Sequence, residues 1–319
     1  MSQELFDEAV HLEEQGQNED ALAIWRQLSE IKPTRNVFLR IGWLTQSLGI
    51  VDDAELSFKR ALEIDGGSAT ALRALGILAI GRSDYETAVC YLQRAREIEE
   101  DPGGLSLLGV ALRNTGKYNE AEEAYRTAIR IDSNYEEAHY NLGVLLRDDR
   151  PTEAQLHLRK ALELDPVFAP AYRELGFVLM KQGTWTEAES YLQKAVELAP
   201  EDVWARIYLG AYFLTSDTKA AETEFRIAEK LQPEWSMPLS CMGKIYESSD
   251  LETAQSFFEQ ALSLQADDWE ALCGMARIFN KRGQTDLARK YITRALLQDP
   301  TDKNSLVLLE GITSSDQSR

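Results

Sequence analysis

One stretch of this chain recurs along almost its whole length. Ala169 to Pro200 reads as two amphipathic runs of helical length, joined at Gly183-Thr184-Trp185 and closed by a proline, which cannot continue a helical hydrogen-bond ladder. Its small first-run residue Gly176 is followed by Ala188, Leu192 and Ala195. The same layout starts again from Gly42, Gly76, Gly109, Gly143, Gly210, Gly243 and Ala276. A unit that repeats about every 33–34 residues cannot bury its apolar stripe alone and must stack on its own copies. The expectation is one elongated array, not a pair of globular domains.

About nine such units account for residues 2 to 302. In the first, Glu8 stands where later units are apolar, which suits a terminal repeat with one side in water. In the fifth, seventh and eighth, the turn is one residue shorter, at Arg150-Pro151, Ser216-Asp217 and Ser249-Asp250. Glycine and alanine at the matched small positions allow close helix approach, which explains a glycine that otherwise costs a helix roughly 1 kcal/mol. The aromatic or leucine four residues after the second-run alanine (Phe58, Leu92, Tyr125) is expected to wedge against the next unit. Leu306, Val307 and Leu309 mark a cover helix at 303–312, so a single array is expected over residues 1–312. Residues 313–319 are expected to be a disordered polar tail.

The fourth unit, LGVALRNTGKYNEAEEAYRTAIRID from Leu108 to Asp132, shows the pattern well. Its helix-turn-helix length, its small residues at fixed offsets and the proline that ends most units resemble the tetratricopeptide (TPR) repeat. The resemblance implies an all-α fold, a right-handed α-solenoid superhelix of helix-turn-helix units plus a short C-terminal cover helix. First helices would line a concave groove and second helices the outside. It further implies a non-catalytic protein–protein interaction scaffold or adaptor that binds a partner peptide or helix in that groove. The second and third units depart from the pattern with Gly66 and Glu100 in place of the terminal proline, which touches local geometry only.

Charge narrows the partner. The formal net charge of −19 repels a phosphate backbone and an anionic bilayer, so neither nucleic acid nor membrane insertion is expected. Cys90, Cys241 and Cys273 are odd in number with no C-x-x-C pair, and the start MSQELFDEAVHLEEQ is acidic where a signal peptide would be basic and then apolar. A cytoplasmic protein is the expectation.

With the groove of the resemblance in place, one row along the first helices is Val10, Trp43, Ile77, Val110, Val144, Phe177, Ala211, Lys244 and Arg277. Seven consecutive apolar residues on a face open to water make a binding strip, or else pack between neighbouring helices. Trp43 and Phe177 are larger than such packing needs. Beside the row, Arg40, Arg73, Arg113, Arg147, Arg173 and Lys181 outnumber Glu137, Asp148 and Glu174. Arginines there fit a partner with acidic as well as apolar residues. Tyr140 and Asn141 belong to the same face of the fifth unit. A two-carboxylate clamp, which some family members use, needs a lysine and an asparagine where this chain has Ser106 and Val110, and two basic residues where it has Pro170 and Glu174, so it is not expected. Trp204, Ile207, Tyr208 and Leu214 make the seventh unit's groove face unusually apolar, next to Phe177 and Met180. A bound amphipathic helix and self-association into a homodimer both fit that composition.

No catalytic constellation emerges. His11, His139 and His157 form no H-E-x-x-H, and His157 is expected on an exposed face, so no metal is expected. Cys241 and Cys273 lie on first helices of adjacent units and can face one groove. The glycines fall singly and build no phosphate loop, so neither a cofactor nor enzyme activity is expected. Besides the scaffold, two alternatives stand: a self-associating structural module and a non-catalytic targeting subunit of an enzyme or assembly complex.

Overall fold

The computed structural model describes residues 2–317. Nineteen α-helices and no strands occur among them. They fall into two compact units, Met1–Pro166 and Val167–Arg319. The first holds five hairpins: α1 (Ser2–Glu14) with α2 (Asn18–Ile31), α3 (Arg35–Ser47) with α4 (Val51–Ile64), α5 (Ala69–Gly81) with α6 (Tyr85–Ile98), α7 (Pro102–Asn114) with α8 (Tyr118–Ile131), and α9 (Glu136–Leu146) with α10 (Pro151–Leu164). The second holds four: α11 (Ala169–Lys181) with α12 (Trp185–Leu198), α13 (Val203–Phe213) with α14 (Thr218–Leu231), α15 (Met237–Tyr246) with α16 (Leu251–Leu264), and α17 (Trp269–Lys281) with α18 (Thr285–Leu296), followed by α19 (Lys303–Gln317). Within each unit the second helix of a hairpin also packs on the first helix of the next.

The small residues set how closely each hairpin closes. A Cβ added to Gly76 would lie 2.6 Å from Leu92, and one added to Gly176 would lie 2.6 Å from Leu192. Phe58, Tyr125, Phe225 and Phe258 press in the same way on Gly42, Gly109, Gly210 and Gly243. Phe258 also lies against Gly274 of the following first helix, so one ring joins two repeats as the sequence predicts. Each of these rings is fully buried, which stabilises by roughly 1.5–3 kcal/mol and outweighs the helix cost of one glycine.

The hairpin turns explain the shortened repeats. Gly16, Gly49, Gly116, Gly183 and Gly283 stop their first helices at φ between 73° and 78°, where a Cβ would be strained. The fifth, seventh and eighth repeats have no such glycine. Their first helices end early, at 11, 11 and 10 residues against 13 elsewhere. Asp217 and Asp250 then cap α14 and α16 through their carboxylates.

The cover helix is longer than expected. Predicted to stop at Ile312, α19 continues to Gln317, so residues 313–317 are helical rather than a disordered tail. Ser, Asp and Gln tolerate helical geometry, and no proline follows Gly311 to break the ladder. Residues 318 and 319 of the expected tail lie outside the described residues. No helix among the described residues is long and apolar enough to cross a membrane.

Candidate functional site

In residues 167–319 the first helices carry a run of touching aromatic rings. Phe177 of α11 stacks on Tyr208 of α13, centroids 4.8 Å apart and planes 25° apart. Tyr208 meets Trp204 one helical turn earlier at 5.7 Å, and Trp204 meets Trp235, just before α15, edge-on at 4.8 Å. The i, i+4 spacing of Trp204 and Tyr208 puts both on one side of α13. Such pairs contribute about 0.5–1.5 kcal/mol each beyond the area they bury, so the run is held as a preformed surface. Trp204 is nonetheless 43% exposed, and Phe177, Met180, Tyr208 and Leu214 are half-buried. Ile207 is the exception among the expected contacts: at 5% exposure it belongs to the core with Phe225 and Leu239, beneath the surface rather than on it.

Residues 1–166 offer a different surface. Phe6 and Trp43 are both exposed and stand beside an open pocket of about 540 Å³ between α1 and α3, with Leu39, Leu44, Asn36, Glu13 and Arg40. Trp43 is braced edge-on against buried Phe58 at 5.0 Å, and Phe6 against buried Trp25 at 5.1 Å. Beyond the pocket, Ile77, Val110 and Val144 are half-buried. Phe6 and Trp235 escaped the sequence reading. Phe6 was legible, one helical turn before Val10 on the same face, but nothing in the repeat pattern marks Trp235, which precedes its helix.

Most of the arginines expected to await an acidic partner are committed inside the protein. Arg73 donates to Asp101 at 2.5 Å and to Glu99 at 3.1 Å. Asp101 at the same time caps α7 by accepting from the Gly104 N–H at 2.9 Å. Arg173 repeats the device in residues 167–319, donating to Asp202 at 2.6 Å while Asp202 caps α13 through the Ala205 N–H at 3.1 Å. Arg173 also pairs with Glu174 at 3.1 Å. A third copy uses a hydroxyl: Ser240 donates to Asp268 at 2.9 Å, and Asp268 caps α17. These side chains bolt a first helix to the start of the next one. Arg40 is held by Glu13 at 2.9 Å, and Arg147 lies 3.5 Å from its neighbour Asp148. Arg113 makes no ion pair among the described residues. The basic excess expected across this face is therefore reduced, because capping carboxylates absent from a count of groove residues neutralise it.

Comparison with known proteins bears on the same repeats. Residues 109–147 match the family described as TPR repeat, and residues 145–205 and 246–307 match the one described as tetratricopeptide repeat. A solved tetratricopeptide repeat protein from Parabacteroides merdae aligns with 77% of this chain and 98% of its own length at a TM-score of 0.61 and 16% identity. The chain carries tetratricopeptide repeats. Among curated relatives, the human protein O-mannosyl-transferase TMTC3 is 25% identical over 187 residues, 49% of this chain and 20% of the relative. The Hordeum vulgare protein named probable UDP-N-acetylglucosamine--peptide N-acetylglucosaminyltransferase SPINDLY is 28% identical over 149 residues, 44% of this chain and 16% of that protein. The chain thus spans a fifth or less of the length of these two relatives.

The remaining chemistry-bearing side chains of the repeats are mostly tied up in packing. Asn141 donates to Ser106 at 3.1 Å, linking α9 to α7, while Tyr140 is half-buried. His157, expected on an exposed face, is half-buried instead, its Nδ1 3.0 Å from Nδ1 of His139. His139 Nε2 lies 3.2 Å from the Ser133 carbonyl and must donate there, so its Nδ1 accepts from His157. Burial, foremost, holds both imidazoles below the usual histidine range, reinforced by Lys160 for His139 and by His139 and Arg126 for His157. No group of three or more metal-ligating side chains occurs among the described residues. Cys273 is buried against Ser305 of α19, and burial pushes the Cys241 thiol up to about 12, far from a reactive thiolate.

Proposed function

We propose that the protein is a non-catalytic binding scaffold whose first helices receive a partner segment through apolar anchors. The observation that carries this reading is the ring run Phe177–Tyr208–Trp204–Trp235: a contiguous aromatic surface, preformed by its own stacking yet open at Trp204. The pocket beside Phe6 and Trp43 supports a second anchor point. Arg113 remains available for an acidic residue of the partner. Three free cysteines are compatible with a reducing cytoplasm, where we place the protein.

Selection of a random peptide display library on the intact chain tests the reading. Enriched peptides are expected to carry aromatic or aliphatic pairs and to lose at least about tenfold in affinity for a Phe177→Ala/Trp204→Ala variant of unchanged helicity. Equal affinity for the variant would defeat the proposal.

A second reading is that of a targeting subunit working beside a separate enzyme. It is favoured by the names of the relatives, which are sugar transferases in which the similar stretch is a minor part. Turnover by the purified chain alone would contradict both readings.

A further inference from the structure

Most repeats bury a purely apolar side chain four residues after the second-helix alanine, such as Phe58, Leu92, Leu158 and Phe225. Only the first and the fourth repeat bury one with a polar atom, Trp25 and Tyr125, both fully enclosed. In the first repeat that atom is satisfied. The indole N–H of Trp25 donates to Glu13, four residues after the small residue Ala9 of α1, and the other carboxylate oxygen of Glu13 accepts from Arg40 at 2.9 Å. A carboxylate thus sits between a buried ring donor and a guanidinium.

The fourth repeat has both donors and no carboxylate between them. The Tyr125 ring presses on Gly109 of α7, and its hydroxyl is buried without a hydrogen-bond partner. Arg113 stands at the position that Glu13 holds in the first repeat, four residues after Gly109. Helical side chains lean back over the preceding turn, which directs Arg113 toward the ring, and its charge is felt at the Tyr125 hydroxyl. The guanidinium is half-buried, yet Arg113 makes no ion pair or hydrogen bond among the described residues. A guanidinium has only donors and the phenol has one to give, so what the pair lacks is an acceptor. A buried polar group left unsatisfied in a native structure calls for an explanation.

We infer that Arg113 and the Tyr125 hydroxyl form a binding site for one carboxylate of the partner segment, which takes the place that the Glu13 carboxylate fills in the first repeat. This rests on the binding reading above and adds where and by which donors the partner's charge is held. One guanidinium matches the single charge of a carboxylate, whose two oxygens accept from Arg113 and Tyr125 together in charge-assisted bonds. The hydroxyl is closed to water in this structure, so a carboxylate oxygen reaches it as the half-buried side chain of Arg113 or Tyr140 shifts aside.

A random peptide display library selected on the intact chain, then depleted on an Arg113→Gln variant of unchanged helicity, isolates peptides that use this site. Their synthetic copies are expected to bind about tenfold more weakly to Arg113→Gln and about threefold more weakly to Tyr125→Phe. Tyr125→Phe should at the same time be no less stable than the parent chain in urea, a split between affinity and stability that a structural role of the hydroxyl would not produce. Exchanging Asp or Glu of the peptide for Asn or Gln should remove the dependence on Arg113 where the carboxylate is a side chain, and amidating the C-terminus should remove it where the carboxylate is terminal. Dependence that survives both changes, or equal affinity for Tyr125→Phe, would overturn the two-donor carboxylate site. Selection of peptides that need Phe177 and Trp204 but of none that needs Arg113 would overturn this inference and leave the binding reading standing. Selection of neither kind would overturn both.

Discussion

In residues 1–166 the first helices present Ile77, Val110 and Val144 at the position where residues 167–319 present Phe177. The aliphatic side chains end half-buried, whereas Phe177 stacks on Tyr208 and the run continues to Trp204 and Trp235. The backbone unit is the same in both. What differs is whether the side chain at that position fits the space beside its neighbour or outgrows it. The bolts between repeats differ in parallel. Arg73 meets carboxylates whose side chains are 30% and 57% exposed, and Arg173 meets carboxylates 15% and 5% exposed.

That difference gives the largest expected effect. Arg173→Ala would leave Asp202 and Glu174 buried without their guanidinium, and should cost about 3–5 kcal/mol. Arg73→Ala leaves carboxylates that water can solvate, and should cost about 1 kcal/mol. Urea denaturation of the intact chain and the two variants measures both. Equal losses would mean that depth does not distinguish the two bolts.

Periodicity alone made the helices, the hairpins, their small residues and even the short turns legible, because a repeat restates its constraints in every copy. Gly176 and Ala188 are legible as the small residues at which a hairpin closes, whereas Leu192, expected against the next unit, is found pressed on Gly176 of its own hairpin. The binding face was legible only in part. Trp43, Phe177, Trp204 and Tyr208 stand out by size, but Ile207 sits on the same stripe as Trp204 and ends in the core, since a stripe of helix spans both surface and interior. The arginines misled for another reason. Their partners Asp101 and Asp202 lie 28 and 29 residues away, at the start of the next first helix, and a count of groove charges passes over them. His139 and His157 met for the same kind of reason: they come from two helices, and which sides face each other depends on the crossing of the hairpin.

An effect of pH separates the units next. All three histidines of the chain, His11, His139 and His157, lie in Met1–Pro166, and Val167–Arg319 has none. The folded pKa values of His139 and His157 are lowered, so the unfolded chain takes up protons first. Their contribution to stability is therefore full above the unfolded value of about 6.5 and drains away as pH falls below it. The Ser133 carbonyl opposes the effect at His139, where Lys160 adds to it, and at His157 the neighbouring His139 and Arg126 add to it while Glu153 opposes it. Hydrogen exchange at pH 7.0 and pH 5.5 should show α9 and α10 losing protection on acidification, and α13 to α16 keeping it. His139→Gln/His157→Gln should flatten the response; a response that survives the double variant would place its origin elsewhere.

The smallest expected effect runs toward greater stability. Tyr125 occupies the position that Phe225 and Phe258 hold in residues 167–319, pressed on Gly109 as they are on Gly210 and Gly243. The phenyl ring is therefore what the packing uses, and the hydroxyl is an addition to it. That hydroxyl is buried with no hydrogen-bond partner among the described residues, and burial raises its pKa. An unsatisfied buried hydroxyl costs about 1–3 kcal/mol, so Tyr125→Phe, which keeps the ring, should raise stability by about 1 kcal/mol in urea denaturation. The reverse change, Phe225→Tyr, should lower it by about the same amount or more. A loss of stability in Tyr125→Phe would mean that the hydroxyl is bonded after all, and that the two sites are alike in ring packing but not in polarity.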